Sequence, residues 1–218
     1  LTSSDGGSAL GLNPYEKPIE FVFKKCGASA PFKGNVATLH GQKWEDPAID
    51  EYCKLMGKKN YDFGLLTLDS VNVLETDAPD ECPESLRNFR NPGSMKFFTD
   101  VYPDIDLSFI AGSTDGIAID RKNMEDLLVL EVKCPYRRKI IPGYCPEYYY
   151  PQVQLNMFIL DIEKADFIEY TPPNVPPKFS KTGEMNIVRI HRSEEWFLEN
   201  VPKLSALWKD VLYWREHG

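Results

Sequence analysis

Histidine is scarce in this sequence, with three residues in 218 (His40, His191 and His217), and the three share no ligand or nucleophile spacing. Zinc centres built on His and nucleophiles activated by His are therefore poor readings. Cysteine is sparse and scattered: Cys26, Cys53, Cys82, Cys134 and Cys145 form no CxxC pair, which argues against a disulfide framework and a structural zinc site, and makes a reducing compartment the default. No apolar run approaches the roughly 18 residues that would cross a bilayer, and the opening LTSSDGGSAL lacks the basic and apolar parts of a secretion signal. The chain opens on Leu1 rather than Met, as a trimmed piece would. No glycine-rich phosphate loop precedes a helix, which removes ATP-driven activities. Basic excess is missing too. The net charge is −8, so a coat that binds nucleic acid everywhere is excluded, while a local basic groove is not.

What is present is a globular composition, 42% hydrophobic, 27% charged and 12% aromatic, in a length suited to one domain over residues 1–218. Residues 35–57 have a helical pattern, with Ile49, Tyr52, Cys53 and Met56 on one stripe, a stop at Gly57, and Pro47 as a kink or the true start. Residues 107–119 and 127–132 are expected as strands joined by the polar turn DRKNME. Residues 148–160 are expected as a helix, and 166–170 and 185–190 as strands. The proline-rich stretch 171–184 connects those last two strands. Ser193 is the expected N-cap of a final helix, with Phe197, Val201, Leu204, Trp208 and Val211 along its core-facing stripe. The expected fold class is α/β, a small mixed sheet flanked by helices.

Two acid-x-Lys triplets occur, about as many as composition alone provides: Asp120-Arg121-Lys122 and Glu131-Val132-Lys133. The first falls in a polar turn, where nothing holds both side chains on one face. The second closes the apolar run LLVLEVK. A charge beside such a strand costs several kcal/mol unless it is paired or bound to metal. A buried Glu–Lys pair is one explanation, and strand register adds a second. A hairpin centred on Asn123 places Ile117 opposite Val129, Ile119 opposite Leu127, Asp115 opposite Glu131 and Ser113 opposite Lys133. Opposed carboxylates repel unless a cation lies between them, so a divalent metal is the economical answer. On that account either carboxylate should be removable without unfolding the protein. Gly112 and Gly116 flank Asp115, as close approach of a backbone or ligand requires. On the following helix Tyr149, Gln152 and Asn156 share a polar face, which is solvated or holds water or phosphate. Lys133, Arg137, Arg138 and Lys139 form a local basic cluster.

The blocks AGSTDG (111–116), LEVKCPY (130–136) and YYPQVQLNM (149–157), preceded by HGQKWEDPA (40–48), LGLNPY and TSSD, together resemble the YqaJ-like viral recombinase family. This is the lambda exonuclease branch of the PD-(D/E)xK nucleases, and the likeness runs over residues 2–170. The resemblance implies a restriction-endonuclease-like core and a Mg²⁺-dependent exonuclease that uses two ions, with Mn²⁺ as a substitute. Such an enzyme digests one strand of linear double-stranded DNA from its 5′ end, in recombination or replication of a phage or large DNA virus inside its host cell. It implies Asp115, Glu131 and the backbone carbonyl of Val132 as metal ligands, with Glu45 a helix-borne acid near the second metal or, on a plainer reading, an exposed carboxylate. Lys133 matches the lysine that handles water and transition-state charge, Gln152 the glutamine of the QVQ block, and Tyr149 its helical neighbour.

Ser4 and Ser113 resemble serines that contact the terminal phosphate. Lys139 aligns nearest the family's phosphate-binding cation, with Arg137 and Arg138 in the same loop as alternatives. The family also carries an arginine upstream of the TSSD-like block, before the first residue of this chain. Partners implied are DNA ends, further copies of the chain as a ring-shaped homotrimer, and a single-strand annealing protein; no membrane is implied. Iron–sulfur exonucleases of the superfamily need a C-terminal cysteine cluster, and no cysteine follows Cys145. Two other readings stay open from the core residues alone: a sequence-specific endonuclease, and a non-catalytic DNA-binding module on the same fold.

Overall fold

The computed structural model describes residues 1–30, 33–68, 93–120, 126–177 and 181–218. Arg121 and Lys122 of the first acid-x-Lys triplet, the centre of the hairpin turn and Cys82 lie outside the described residues. In chain order the elements are a 3₁₀ turn (Ser3–Asp5), α1 (Gly6–Ala9), α2 (Pro18–Lys25), α3 (Val36–Met56), β1 (Lys58–Tyr61), β2 (Leu65–Thr67), α4 (Lys96–Thr99), β3 (Ala111–Ser113), β4 (Gly116–Asp120), β5 (Leu127–Lys133), α5 (Tyr150–Leu160), β6 (Lys164–Thr171), β7 (Glu184–His191) and α6 (Glu194–His217).

Among the described residues five strands form one mixed sheet in the order β1-β4-β5-β6-β7, in which only β5 and β6 run parallel, joined through α5. That crossover suits a parallel pair, which needs a dozen or more residues of connection. Strands β2 and β3 form a separate antiparallel pair. Side chains alternate across the main sheet as period two requires. Ile117, Ile119, Val129, Ala165 and Phe167 join the core shared with α5 and α6, whereas Ala118, Leu128, Leu130, Val132 and Ile168 face Ala48, Ile49 and Tyr52 of α3.

Helix α3 starts where Asn35 accepts from Thr38 N–H (2.9 Å) and stops at Gly57 in the left-handed region (φ 68°), the two termini expected from sequence. It runs helically through Pro47, which is neither its start nor its end. Tyr52 ties it to the sheet by donating from its hydroxyl to buried Asp166 (2.5 Å), a carboxylate also held by Arg189. Ser193 caps α6, accepting from Trp196 N–H (3.1 Å). Residues 171–184 do link β6 to β7.

Three expectations are corrected. The predicted strand 107–119 is two strands, β3 and β4, broken at Thr114–Asp115 and belonging to different sheets. Strands β1 and β2 were not expected; at four and three residues they are too short for alternation to reveal. Helix α5 has no solvated face: every residue from Pro151 to Leu160 is buried between the sheet and the N-terminal and C-terminal helices. Its polar residues therefore need partners. Gln154 supplies an example, donating to His191 O (2.9 Å) and accepting from Ser193 N–H (2.9 Å), which fixes the β7–α6 junction.

Candidate active site

The predicted hairpin register holds from Ile119–Leu127 to Gly116–Leu130 and then ends. The cause is local. Gly116 has φ +153°, and a Cβ there would fall 2.0 Å from Asn60 Oδ1 of β1, so only glycine permits both the turn and the close packing of Asn60. Asn60 Nδ2 in turn donates to the Asp115 carbonyl (3.3 Å). Past Gly116 the two strands splay. Asp115 N–H reaches Leu130 O out of register (3.2 Å), and its Oδ2 accepts from Val132 N–H (2.5 Å). In a strand the N–H and C=O of one residue point to the same side, so the Val132 carbonyl faces the same opening as the Asp115 carboxylate.

Glu131 and Lys133 lie on the α5 face of β5 and form an ion pair, so the close-pair reading of the triplet is correct as far as it goes. Glu131 is fully buried, and Asn156 Nδ2 of α5 donates to its other oxygen (3.1 Å). Gly112 makes room for Asn156: a Cβ there would lie 2.5 Å from Asn156 Oδ1. Both glycines beside Asp115 thus serve close approach of asparagine side chains, not of backbone.

Two cavities meet at Glu45, which lines both. One, about 380 Å³, is acidic, with Glu45, Asp46, Asp50, Asn60, Asp62, Ser113 and Asp115 around it. The other, about 480 Å³, is lined by Ser4, Glu45, Val132, Lys133, Tyr136, Tyr149 and Gln152 among others. Ser4 thus borders the same cavity as Lys133, Tyr149 and Gln152, on the N-terminal turn in which Asp5 accepts from Thr2 N–H (2.9 Å) and Thr2 Oγ1 (2.6 Å). Ser113 does not face Lys133 as the register predicted. It sits in β3 opposite Leu65 because the chain leaves the main sheet at Thr114, and it borders the acidic cavity instead.

Burial raises the proton affinity of Glu131 to a pKa of about 8, and the nearby Asp115 charge adds to the shift. Burial likewise lifts Asp115, and lifts Glu45 together with the Asp115 charge. Lys133 runs the other way: burial alone would favour loss of its proton, but the Glu131 and Asp115 carboxylates outweigh this and hold it charged above the usual lysine range. Its Nζ lies 5.3 Å from the centre of the Tyr149 ring.

The basic cluster is divided. Arg138 is committed to buried Glu169 as an ion pair, with its guanidinium 5.9 Å from the Tyr149 ring, while Arg137 and Lys139 are exposed. Asn186 of β7 completes this support, donating to Glu169 (3.2 Å) and accepting from Gly143 N–H (2.8 Å). Glu169, Asn186, Asn60 and Asp62 were not anticipated. Glu169 and Asn186 carry no motif signal because their partners lie 31 and 43 residues away.

Asp115, Glu131, Glu45 and the Val132 carbonyl offer oxygen donors only, the set suited to a hard cation such as Mg²⁺. Their crowding in a partly dry site, with proton affinities raised, is the electrostatic condition a divalent ion relieves. Among the described residues no three His, Cys, Asp or Glu side chains converge closely enough to hold an ion unaided. The fit therefore depends on the Val132 carbonyl and on water, which Mg²⁺ commonly retains.

This electrostatics gives a stability prediction. Because the folded Glu131 pKa lies above its ordinary value of 4.5, its contribution is complete below about pH 4.5 and is lost as pH rises towards 8. The melting temperature of metal-free protein should fall between pH 5 and 9, and Mg²⁺ should restore it most at the alkaline end. A melting temperature that is flat over that range in EDTA would refute the assignment.

The fold is shared with solved exonucleases. An alkaline exonuclease from Laribacter hongkongensis superposes over all of this chain and 90% of its own, with TM-score 0.63 and 17% identity; a structure of it in complex with dAMP matches equally well. A phage-related exonuclease from Haemophilus somnus 129PT gives TM-score 0.59 and 14% identity over 99% of this chain and 93% of its own. An uncharacterized protein of Acanthamoeba polyphaga mimivirus, R354, is 26% identical over 180 residues, which is 78% of this chain; the chain spans about a quarter (26%) of that relative's length.

Two carboxylates and a lysine thus lie together at the splayed end of a sheet hairpin, on a fold shared with solved exonucleases. The family model of the YqaJ-like viral recombinase domain matches residues 1–163, and the chain belongs to that family. No helix among the described residues is long and apolar enough to cross a membrane.

Proposed function

We propose that residues 1–218 form one Mg²⁺-dependent exonuclease domain that digests one strand of linear duplex DNA from the 5′ end, in recombination or replication of a virus or phage. The observation that carries the reading is the splay beyond Gly116, which aims the Asp115 carboxylate and the Val132 carbonyl into one opening, beside buried Glu131 and its partner Lys133.

Asp115, Glu131 and the Val132 carbonyl would hold one ion, and Glu45, on the border of the acidic cavity, would serve a second. Mg²⁺ or Mn²⁺ there supplies Lewis acidity towards the phosphoryl oxygen and lowers the pKa of a coordinated water. Lys133, held charged by the carboxylates, stabilises negative charge developing on the phosphate rather than acting as a base. Gln152 and Ser4 face the same cavity and orient the phosphate and water, and Tyr149 backs Lys133. A homotrimer and a single-strand annealing partner are the assemblies this reading favours.

The division of the basic cluster gives a second prediction. Replacing Arg137 and Lys139 together by Ala should reduce the preference for 5′-phosphorylated over 5′-hydroxyl ends several-fold in a competition assay without lowering the melting temperature. Charge-assisted contacts contribute about 1.5–3 kcal/mol each, so the effect is measurable. Arg138→Ala, by contrast, strands Glu169 and should destabilise the fold by about 3–5 kcal/mol in denaturant titration. An unchanged end preference in the double variant would place the phosphate pocket elsewhere.

An endonuclease on the same core is separated by substrate shape. In Mg²⁺ the enzyme should consume linear duplex and leave covalently closed circles intact; cutting of closed circles would overturn the exonuclease reading.

A further inference from the structure

Around Tyr136, which lines the Lys133 cavity, α3 and the turn after β5 bring three aromatic rings and two exposed cations together. The His40 ring centre lies 5.3 Å from that of Tyr136 and 6.4 Å from that of Trp44, with interplanar angles of 60° and 53°. Rings tilted in this way are not stacked face to face on one another. Trp44 packs one side against the Ala48–Ile49–Tyr52 core, which holds it in place. Lys43 Nζ sits 5.1 Å from the Trp44 ring, and the Arg137 guanidinium 5.6 Å from that of Tyr136. Both cations are exposed. Neither Trp44 nor Lys43 has a place in the hydrolytic chemistry.

Aromatic faces flanked by cations form the recognition pattern of single-stranded nucleic acid. Any base stacks on a ring face while Lys and Arg meet the phosphates, whereas a duplex keeps its base faces covered. We propose that Trp44, His40 and Tyr136, with Lys43 and Arg137, form a stacking platform for unpaired DNA nucleotides adjoining the strand end in the Lys133 cavity. The placement rests on the nuclease reading of that cavity; the platform's occupant is single-stranded DNA. Lys43 and Arg137 exchange ring contacts for phosphate contacts when bases settle on Trp44 and Tyr136. The platform would hold the strand end apart from its complement next to the hydrolytic groups.

The test uses the full chain in EDTA, so that binding is measured without cleavage. A 5-iodouracil-substituted single strand of about ten nucleotides, within the size range of such sites, is photocrosslinked to the wild-type protein and the adducts are mapped by mass spectrometry. Adducts on Tyr136, Trp44 or His40 are expected; adducts confined to other surfaces, such as the exposed Tyr213–Trp214 pair, would overturn the proposal.

In fluorescence anisotropy, Trp44→Leu and Tyr136→Leu should each weaken binding of a single strand by about 5- to 100-fold while leaving the salt dependence unchanged, because stacking releases no counterions. Lys43→Gln should lower the slope of log affinity against log salt by about 0.7. Folded variants that bind within twofold of wild type would refute the platform. Wild-type crosslinking keeps the question decidable if Trp44→Leu does not fold. Cleavage of duplex by wild type without platform adducts would sink the platform alone; adducts without cleavage in Mg²⁺ would sink the nuclease reading alone.

Discussion

Asp115→Asn should cut Mg²⁺-supported DNA cleavage by on the order of 10³-fold while leaving the metal-free melting temperature within a few degrees of wild type. A metal-held charge contributes several kcal/mol to transition-state stabilisation, at about 1.4 kcal/mol per tenfold in rate. Asn retains an oxygen able to accept from Val132 N–H, so the local backbone contact survives. Loss of the raised carboxylate also removes a like charge from beside Glu131. Glu131 is a different case, and the expectation from sequence that either carboxylate is dispensable for folding does not carry over to it. Glu131→Ala would leave Lys133 without its ion-pair partner and Asn156 Nδ2 without its acceptor inside the protein. That variant should lose activity and stability together, because removing one member of a buried pair leaves the other uncompensated. Thermal unfolding alongside the cleavage assay separates the two. A large drop in melting temperature for Asp115→Asn would mean that Asp115 is structural.

Lys133→Ala should lower the single-turnover rate by about 10²–10⁴-fold with DNA affinity changed little, the loss expected when a charge acts only in the transition state. Lys133→Arg keeps the charge but not the compact ammonium beside Tyr149, and should recover only part of the rate. Because the carboxylates hold Lys133 protonated, the pH–rate profile should show no ascending limb that disappears with its removal. Rate and affinity falling by the same factor would make Lys133 a phosphate anchor, and the transition-state role would fail.

The parts of this site that could be read from sequence are those held by local rules. The register through Ile117–Val129 and Ile119–Leu127 follows from alternating apolar residues, and the termini of α3 and α6 follow from Asn35, Gly57 and Ser193. Glu131 stood out because a carboxylate in LLVLEVK breaks the pattern of a buried strand. The break at Thr114–Asp115 was hidden. Apolar residues continue on both sides of it, and its causes, the positive φ of Gly116 and the side chain of Asn60, depend on a strand too short to be seen. The burial of Asn156 and Gln154 was hidden for the same reason: their partners Glu131, His191 and Ser193 come from other elements. Arg138, Arg137 and Lys139 looked equivalent in sequence, and only the Glu169 carboxylate, 31 residues from Arg138, distinguishes them.

Digestion of a linear duplex labelled separately at its 5′ and 3′ ends, in Mg²⁺ and in EDTA, tests the central claim most directly. The account predicts that in Mg²⁺ the 5′ label is released first as mononucleotide from one strand, faster from 5′-phosphorylated than from 5′-hydroxyl ends. It predicts that the complementary strand stays full length and that EDTA stops the reaction. Release of the 3′ label first, internal cutting of the duplex, or undiminished digestion in EDTA would contradict it.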